Sequence, residues 1–191
     1  MLHYSRPHMR EIEIKLRVKD FTDLENRLVE RGCILSEPIS QHDVIYSEGG
    51  STEEWKHSKE GDKVVRIRHM KDSAELTLKI QRSRDGDALE YETEVKDPDT
   101  MHQILSAFGY KPEIEVKKVR RQGKLGEYSI CLDRVEELGT FMELEKLTDD
   151  SADPGVVREE LFKVLESLGL SRADEETRGY DSQMYQLRHQ S

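Results

Sequence analysis

Glu11-Ile12-Glu13-Ile14-Lys15-Leu16-Arg17-Val18 alternates charged and apolar side chains without a break. Alternation with period two marks a strand with one polar and one apolar face. Glu11, Glu13 and Lys15 therefore share one face, and Ile12, Ile14 and Leu16 the other. The period then lengthens. Asp20 stands as a cap before Phe21, Leu24, Leu28 and Val29, an apolar stripe at helical spacing that Gly32 closes.

Outward from this pair, strands are expected over 39–46, 63–69 and 75–81, and Asp85-Gly86 reads as a turn into a strand over 89–95. A second helix starts at Asp97-Pro98, carries Met101, Leu105 and Phe108, and stops at Gly109-Tyr110. Strands over 113–121, 127–133 and 140–147 follow, then a helix from Asp153-Pro154 to Leu168, then a polar tail with room for one short helix. Strands outnumber helices and short polar turns join them, so the expected class is α+β with an antiparallel sheet. Eight strands are enough to close a β-barrel that holds side chains or one small ligand, with the helices packed outside. One domain over 9–191 is expected, with residues 1–8 as a flexible extension. A shift of 77 carries Val18-Lys19-Asp20 to Val95-Lys96-Asp97, Leu28 to Leu105 and Gly32 to Gly109. The halves 11–85 and 88–168 thus read as an internal duplication. The same shift sets Arg66-Ile67-Arg68 on Glu143-Leu144-Glu145.

Of 191 residues, 40 are acidic and 30 are Lys or Arg, a net charge of −10 that disfavours general attraction to nucleic acid or anionic lipid. The chain has no apolar run near the roughly 20 residues of a membrane span. Its N-terminal stretch lacks the apolar core of a secretory signal, so a cytoplasmic protein is expected. Cys33 and Cys131 read as reduced, partly buried thiols, and the seven His form no metal motif. Glycine-rich phosphate loops and a Gly-x-Ser-x-Gly elbow are absent from the sequence. Aromatic residues, at 6%, are too few for base-stacking platforms.

What remains is a set of same-face polar series: Glu11, Glu13 and Lys15; Arg66 and Arg68; Thr77 and Lys79; Glu90, Glu92 and Glu94; Lys118 and Arg120; Glu143 and Glu145. Glu-x-Glu is a sensible half-site for a hard cation such as Mg²⁺. If the apolar faces pack outward, the charged faces meet in a lumen whose Arg and Lys suit a polyphosphate and whose carboxylates suit its bridging metal. Otherwise these faces look to bulk water and pair as exposed salt bridges worth little each.

These residues resemble a known family. Glu11-Ile12-Glu13-Ile14-Lys15 is similar to the Glu-x-Glu-x-Lys signature of the CYTH superfamily, the triphosphate tunnel metalloenzymes. Gln41-His42-Asp43, Val65-Arg66-Ile67-Arg68, Leu76-Thr77-Leu78-Lys79, Lys118-Val119-Arg120, Leu132-Asp133 and Gly139-Thr140-Phe141-Met142-Glu143-Leu144-Glu145 follow in the family's order. The resemblance covers roughly residues 9 to 185. It implies an eight-stranded tunnel that binds a nucleoside or inorganic triphosphate with Mg²⁺ or Mn²⁺. Glu11, Glu13 and Glu143 would hold the metal with Glu145 assisting. Lys15, Arg66, Arg68, Lys79, Lys118 and Arg120 would grip the phosphates, and Lys15 and Asp133 would take the catalytic roles, Asp133 by placing the metal's water or the neighbouring base. Family members commonly have Asp-x-Tyr in the second strand, whereas Tyr46 lies three positions after Asp43, on the opposite face unless a bulge intervenes. Arg178-Gly179-Tyr180 is similar to the family's Ser-Tyr ending, with Gly for Ser. The first helix and the Gly109-Tyr110-Lys111-Pro112 stretch look most like the class IV adenylate cyclase branch, which implies conversion of ATP to cyclic AMP and pyrophosphate. A triphosphatase in the same tunnel and a noncatalytic polyphosphate binder are the alternatives. The resemblance also allows a homodimer.

Overall fold

The computed structural model describes residues 10–48, 59–82 and 86–189. Eight strands, β1 (Arg10–Arg17), β2 (Ile39–Ser47), β3 (Lys63–His69), β4 (Ala74–Gln81), β5 (Asp87–Val95), β6 (Lys111–Leu125), β7 (Tyr128–Val135) and β8 (Gly139–Thr148), close into a barrel in the order β1-β5-β4-β3-β2-β6-β7-β8. All neighbouring strands are antiparallel. The expected extension 1–8 and Asp85 of the expected turn lie outside the described residues. Among those described, no helix is long and apolar enough to cross a membrane.

Closure settles which face of each strand is inside. Ile12, Ile14 and Leu16 of β1 turn outward and join Ile130, Leu132, Met142 and Leu144 in a core sealed by α1 (Thr22–Glu30) and α3 (Pro154–Ser167). Val65, Ile67 and Tyr46 pack outside the opposite wall with Leu105 of α2 (Pro98–Ala107). Asp97 caps α2 by accepting from the Thr100 amide at 2.9 Å. Asp20 instead accepts from Thr22 N, and Phe21 takes the cap position of α1. Two members of the expected stripes are on the surface, Val29 at 60% exposure and Phe108 at 77%. Val29 lies in the last turn of α1, and Phe108 is the residue that caps the C-terminal end of α2.

The last helix, α4 (Tyr180–His189), departs from the expected arrangement. Its Tyr180, Met184 and Tyr185 pack with Ile45, Ile114, Val116, Val135 and Phe141. Four of these continue the inward series, since Ile45 follows Asp43 by two residues, Val116 precedes Lys118, Val135 follows Asp133 and Phe141 precedes Glu143. Of the four α-helices among the described residues, three lie outside the barrel and the last stops one end of it with an apolar floor.

The shift of 77 tracks the topology through β1 to β5, α1 to α2 and β2 to β6. It then carries β3 onto β8, although β7 occupies the corresponding place in the ring. The β2–β3 connection is far longer than Gly126-Glu127. Leu161 is fully buried on α3 while Val156 of the same helix is 66% exposed. Leu161→Ala should cost about 2–5 kcal/mol of stability in urea unfolding, whereas Val156→Ala should stay within about 0.5 kcal/mol.

Candidate active site

Above the apolar floor, the barrel encloses a cavity of about 1100 Å³ lined by Glu11, Glu13, Lys15, Arg66, Arg68, Lys79, Lys118, Arg120, Glu143 and Glu145, together with Gln41, Asp43, Glu90 and Tyr180. The staggered ladders stack these inward side chains in tiers. Glu13, Asp43, Arg66, Lys79, Lys118, Asp133 and Glu143 form one, and Glu11, Gln41, Arg68, Glu90, Arg120, Cys131 and Glu145 the next toward the mouth.

The cations are held in place by carboxylates. Arg68 makes a fork to Asp43 at 2.7 and 2.9 Å. Arg120 makes the matching fork to Asp133 at 2.7 and 2.5 Å and also reaches Glu143 at 2.5 Å. Lys118 Nζ lies between, 3.5 Å from Asp43 and 3.9 Å from Asp133. Such forks fix a guanidinium in orientation as well as position. Burial opposes the charge on Asp43, but Arg68, Lys118 and Arg66 outweigh it and hold this carboxyl well below its ordinary range. Glu143 is treated alike: burial raises its pKa, and Arg120, Lys15 and Lys118 bring it down to about 2. Burial and the neighbouring Arg120 lower Lys118 to about 8, against the pull of Asp43 and Asp133.

For Glu11, Glu13 and Glu145 burial outweighs the nearby cations, although Lys15 stands 3.8 Å from Glu13. Oxygen atoms of Glu11, Glu13 and Glu145 lie within 4.8 Å of one another, and a second grouping joins Glu145 and Glu143 to the thiol of Cys131. Burial, then the neighbouring carboxylates, raise Glu145 well above its ordinary value. Burial and Glu143 raise Glu13. Burial raises Glu11 to about 7 even though Lys79 lies 3.5 Å away. Lys79 is shared with Glu90 at 2.7 Å. Mutually repelling, dehydrated carboxylates in a polar cavity are what a hard divalent cation relieves, so this donor set fits Mg²⁺ or Mn²⁺. Glu143 faces the same space but is engaged by Arg120, which leaves Glu145 as the closest companion of the Glu11 and Glu13 pair.

Asp133 is completely buried behind Arg120 and accepts from the Tyr180 hydroxyl at 3.0 Å. It positions Arg120 and does not line the cavity. Three residues that sequence reasoning did not assign are now part of the site. Asp43 anchors Arg68, Glu90 anchors Lys79, and the Tyr180 ring lies under both ammonium groups, 4.6 Å from Lys15 Nζ and 5.1 Å from Lys118 Nζ. Asp43 and Glu90 had the right parity on their strands. Tyr180, from a distant helix, stood out only in the resemblance of Arg178-Gly179-Tyr180 to the family's Ser-Tyr ending, which assigned it no role. Tyr46 does face out, against His102 at 3.2 Å, because the register shift beside it places the extra residue on β6.

An antiparallel barrel with one closed end and a lumen of paired cations and clustered carboxylates defines a tunnel protein. Residues 9–180 match the model of the CYTH domain, and the chain belongs to that family. It is 29% identical over 171 residues to adenylate cyclase CyaB of Aeromonas hydrophila, covering 89% of this chain and 86% of that one. The PH1012 protein of Pyrococcus horikoshii OT3 superposes with a TM-score of 0.75 at 27% identity, over 91% of this chain and 98% of its own. The barrel also matches HpAC1 of Hippeastrum, described as an adenylyl cyclase candidate with a dominant triphosphatase activity. That match has a TM-score of 0.59 and 18% identity, covering 90% and 91% of the two chains. Family membership brings metal-dependent chemistry on triphosphates as the class of activity.

The raised Glu11 pKa fixes a sign. Below pH 4.5 its carboxyl is protonated both folded and unfolded, and above about 7 it is ionised in both. Between these values the folded state holds the extra proton, so stability falls as pH rises, by on the order of 3 kcal/mol in all. In EDTA, the melting temperature should therefore decline from pH 4.5 to 7, and Glu11→Gln should flatten that decline. Asp43 and Glu143 act oppositely, adding stability above their ordinary values that is lost as the pH falls toward 2.

Proposed function

We propose that this protein is a metal-dependent enzyme that converts ATP to cyclic AMP and pyrophosphate. One observation carries the reading: a cluster of three mutually repelling carboxylates adjoins six basic side chains inside one closed-ended cavity. Glu11, Glu13 and Glu145 would hold Mg²⁺ or Mn²⁺, with Glu143 at the edge of the set. The ion would supply charge neutralisation on the phosphate oxygens and acidify the attacking hydroxyl.

The chain's own residues do the rest. Arg68 and Arg120, oriented by Asp43 and Asp133, present fixed donors to phosphate oxygens, with Lys118 between them. Arg66 and Lys79 extend this basic surface along the β3–β4 wall. Lys15, 3.8 Å from Glu13 and seated over Tyr180, faces the lumen from its floor. In the reaction the ribose 3′-hydroxyl gives up its proton to water, its oxygen bonds to the α-phosphorus, and the bond from that phosphorus to the oxygen bridging to the β-phosphate breaks, releasing pyrophosphate. Charge then builds on pyrophosphate, where preorganised cations stabilise it without reorganisation. The similarity to CyaB supports the cyclase over hydrolysis, in which water would take the hydroxyl's place within the same lumen.

Phosphorus NMR of reactions with Mg²⁺ tests this. ATP should give pyrophosphate and a cyclic monophosphate signal. Orthophosphate from inorganic triphosphate, with ATP left uncyclised, would make the protein a triphosphatase. Glu13→Gln should lower turnover roughly 100-fold or more while triphosphate binding largely persists, because the basic wall is intact.

A further inference from the structure

The mouth of the lumen is asymmetric. On the β4–β5 side it is acidic, with Glu75 and Glu92 on its wall. On the β2–β6 side it carries the apolar Ile34, Leu35, Ile39 and Met70, with Ser36, Gln122 and Lys124 beside them. Ile34 is 86% exposed, an unusual state for a large aliphatic residue on a segment so firmly held. Cys33 beside it is buried, and Ser36 N donates to Gln122 O at 2.8 Å. Arg121 Nε donates to Ser36 O at 2.9 Å. Gly123 makes this approach possible, because a Cβ there would come within 2.7 Å of Ile34 O and 2.8 Å of Cys33 Sγ. The chain thus fixes an apolar shelf at the rim, directly above Arg120 and Arg68. Gln41, 6% exposed and on the same wall, has a side-chain oxygen without a hydrogen-bond partner among the described residues.

We infer that this shelf is a base-recognition subsite, in which Ile34, Ile39 and Met70 pack against the purine ring of ATP and the Gln41 amide oxygen accepts from its 6-amino group. The inference rests on reading the lumen as a triphosphate site. A flat, largely apolar base needs a dry surface adjoining the phosphate donors, with a few polar groups to set orientation. The acidic side of the mouth offers none, and an unpaired buried carbonyl loses little by turning to meet an amino group. Inorganic triphosphate would leave the shelf empty.

Isothermal titration with Mg²⁺ tests the subsite, using methylene-bridged ATP and methylene-bridged tripolyphosphate, neither of which turns over. The ATP form should bind roughly tenfold more tightly, and Ile34→Ser should weaken it about fivefold while leaving tripolyphosphate within about twofold. Ile34 is so exposed that this variant keeps the fold. An inosine form, with a carbonyl at the 6-position, should bind about fivefold more weakly than the adenine form. Equal affinities for ATP and tripolyphosphate forms in the unaltered protein, or equal losses in Ile34→Ser, would overturn the subsite. Equal affinities for inosine and adenine forms would remove Gln41 from it. If neither ligand binds the unaltered protein, the reading of the lumen falls and the subsite with it.

Discussion

A closed wall of eight strands leaves no freedom about where alternate side chains go: every second residue is inside. In most small barrels that interior is apolar, because burying a charge without a partner costs more than a domain can spare. Here the inside carries Lys15, Arg66, Arg68, Lys79, Lys118 and Arg120 against Glu11, Glu13, Asp43, Glu90, Asp133, Glu143 and Glu145. The structure depends on these charges answering one another. Asp43 and Asp133 are buried so that Arg68 and Arg120 can be held rigid, and an ion pair broken on one side would leave the other uncompensated at a cost of about 3–5 kcal/mol.

Cations and carboxylates nearly cancel in the lumen, so the barrel by itself is a poor trap for a polyanion. The imbalance is local. Glu11, Glu13 and Glu145 are buried together and repel one another, and Lys15 and Lys79 do not offset this. A divalent ion on these carboxylates would remove the repulsion and turn the lumen net positive, which would tie polyphosphate binding to metal binding. The apolar floor under α4 serves the same economy of charge, since it keeps water from entering at the far end and weakening every interaction above it.

Much of this was written plainly in the sequence. The alternation from Glu11 to Val18, repeated at Arg66 and Arg68, Thr77 and Lys79, and Glu143 and Glu145, named the strands and the charged face of each. Alternation is local and survives without knowledge of partners. Stagger is not local: it decides that Asp133 sits behind Arg120 and that Glu145, more than Glu143, keeps company with the Glu pair. No single strand encodes it. The same holds for α4, whose Tyr180, Met184 and Tyr185 look like any helical stripe, and whose seat inside the barrel end follows only from apolar inward residues at Ile45, Val116, Val135 and Phe141. Val29 and Phe108 fit the helical period yet face water, because a stripe predicts a direction and not the extent of the wall beneath it.

The central claim is that a divalent cation on the Glu11, Glu13 and Glu145 carboxylates and a triphosphate on the Arg and Lys wall share one lumen. Anomalous diffraction from crystals grown with Mn²⁺ and methylene-bridged tripolyphosphate tests it most directly. The account predicts a Mn²⁺ peak within coordination distance of at least two of these carboxylates, with phosphates against Arg68, Lys118 and Arg120. Mn²⁺ elsewhere, or triphosphate bound outside the barrel, would contradict it.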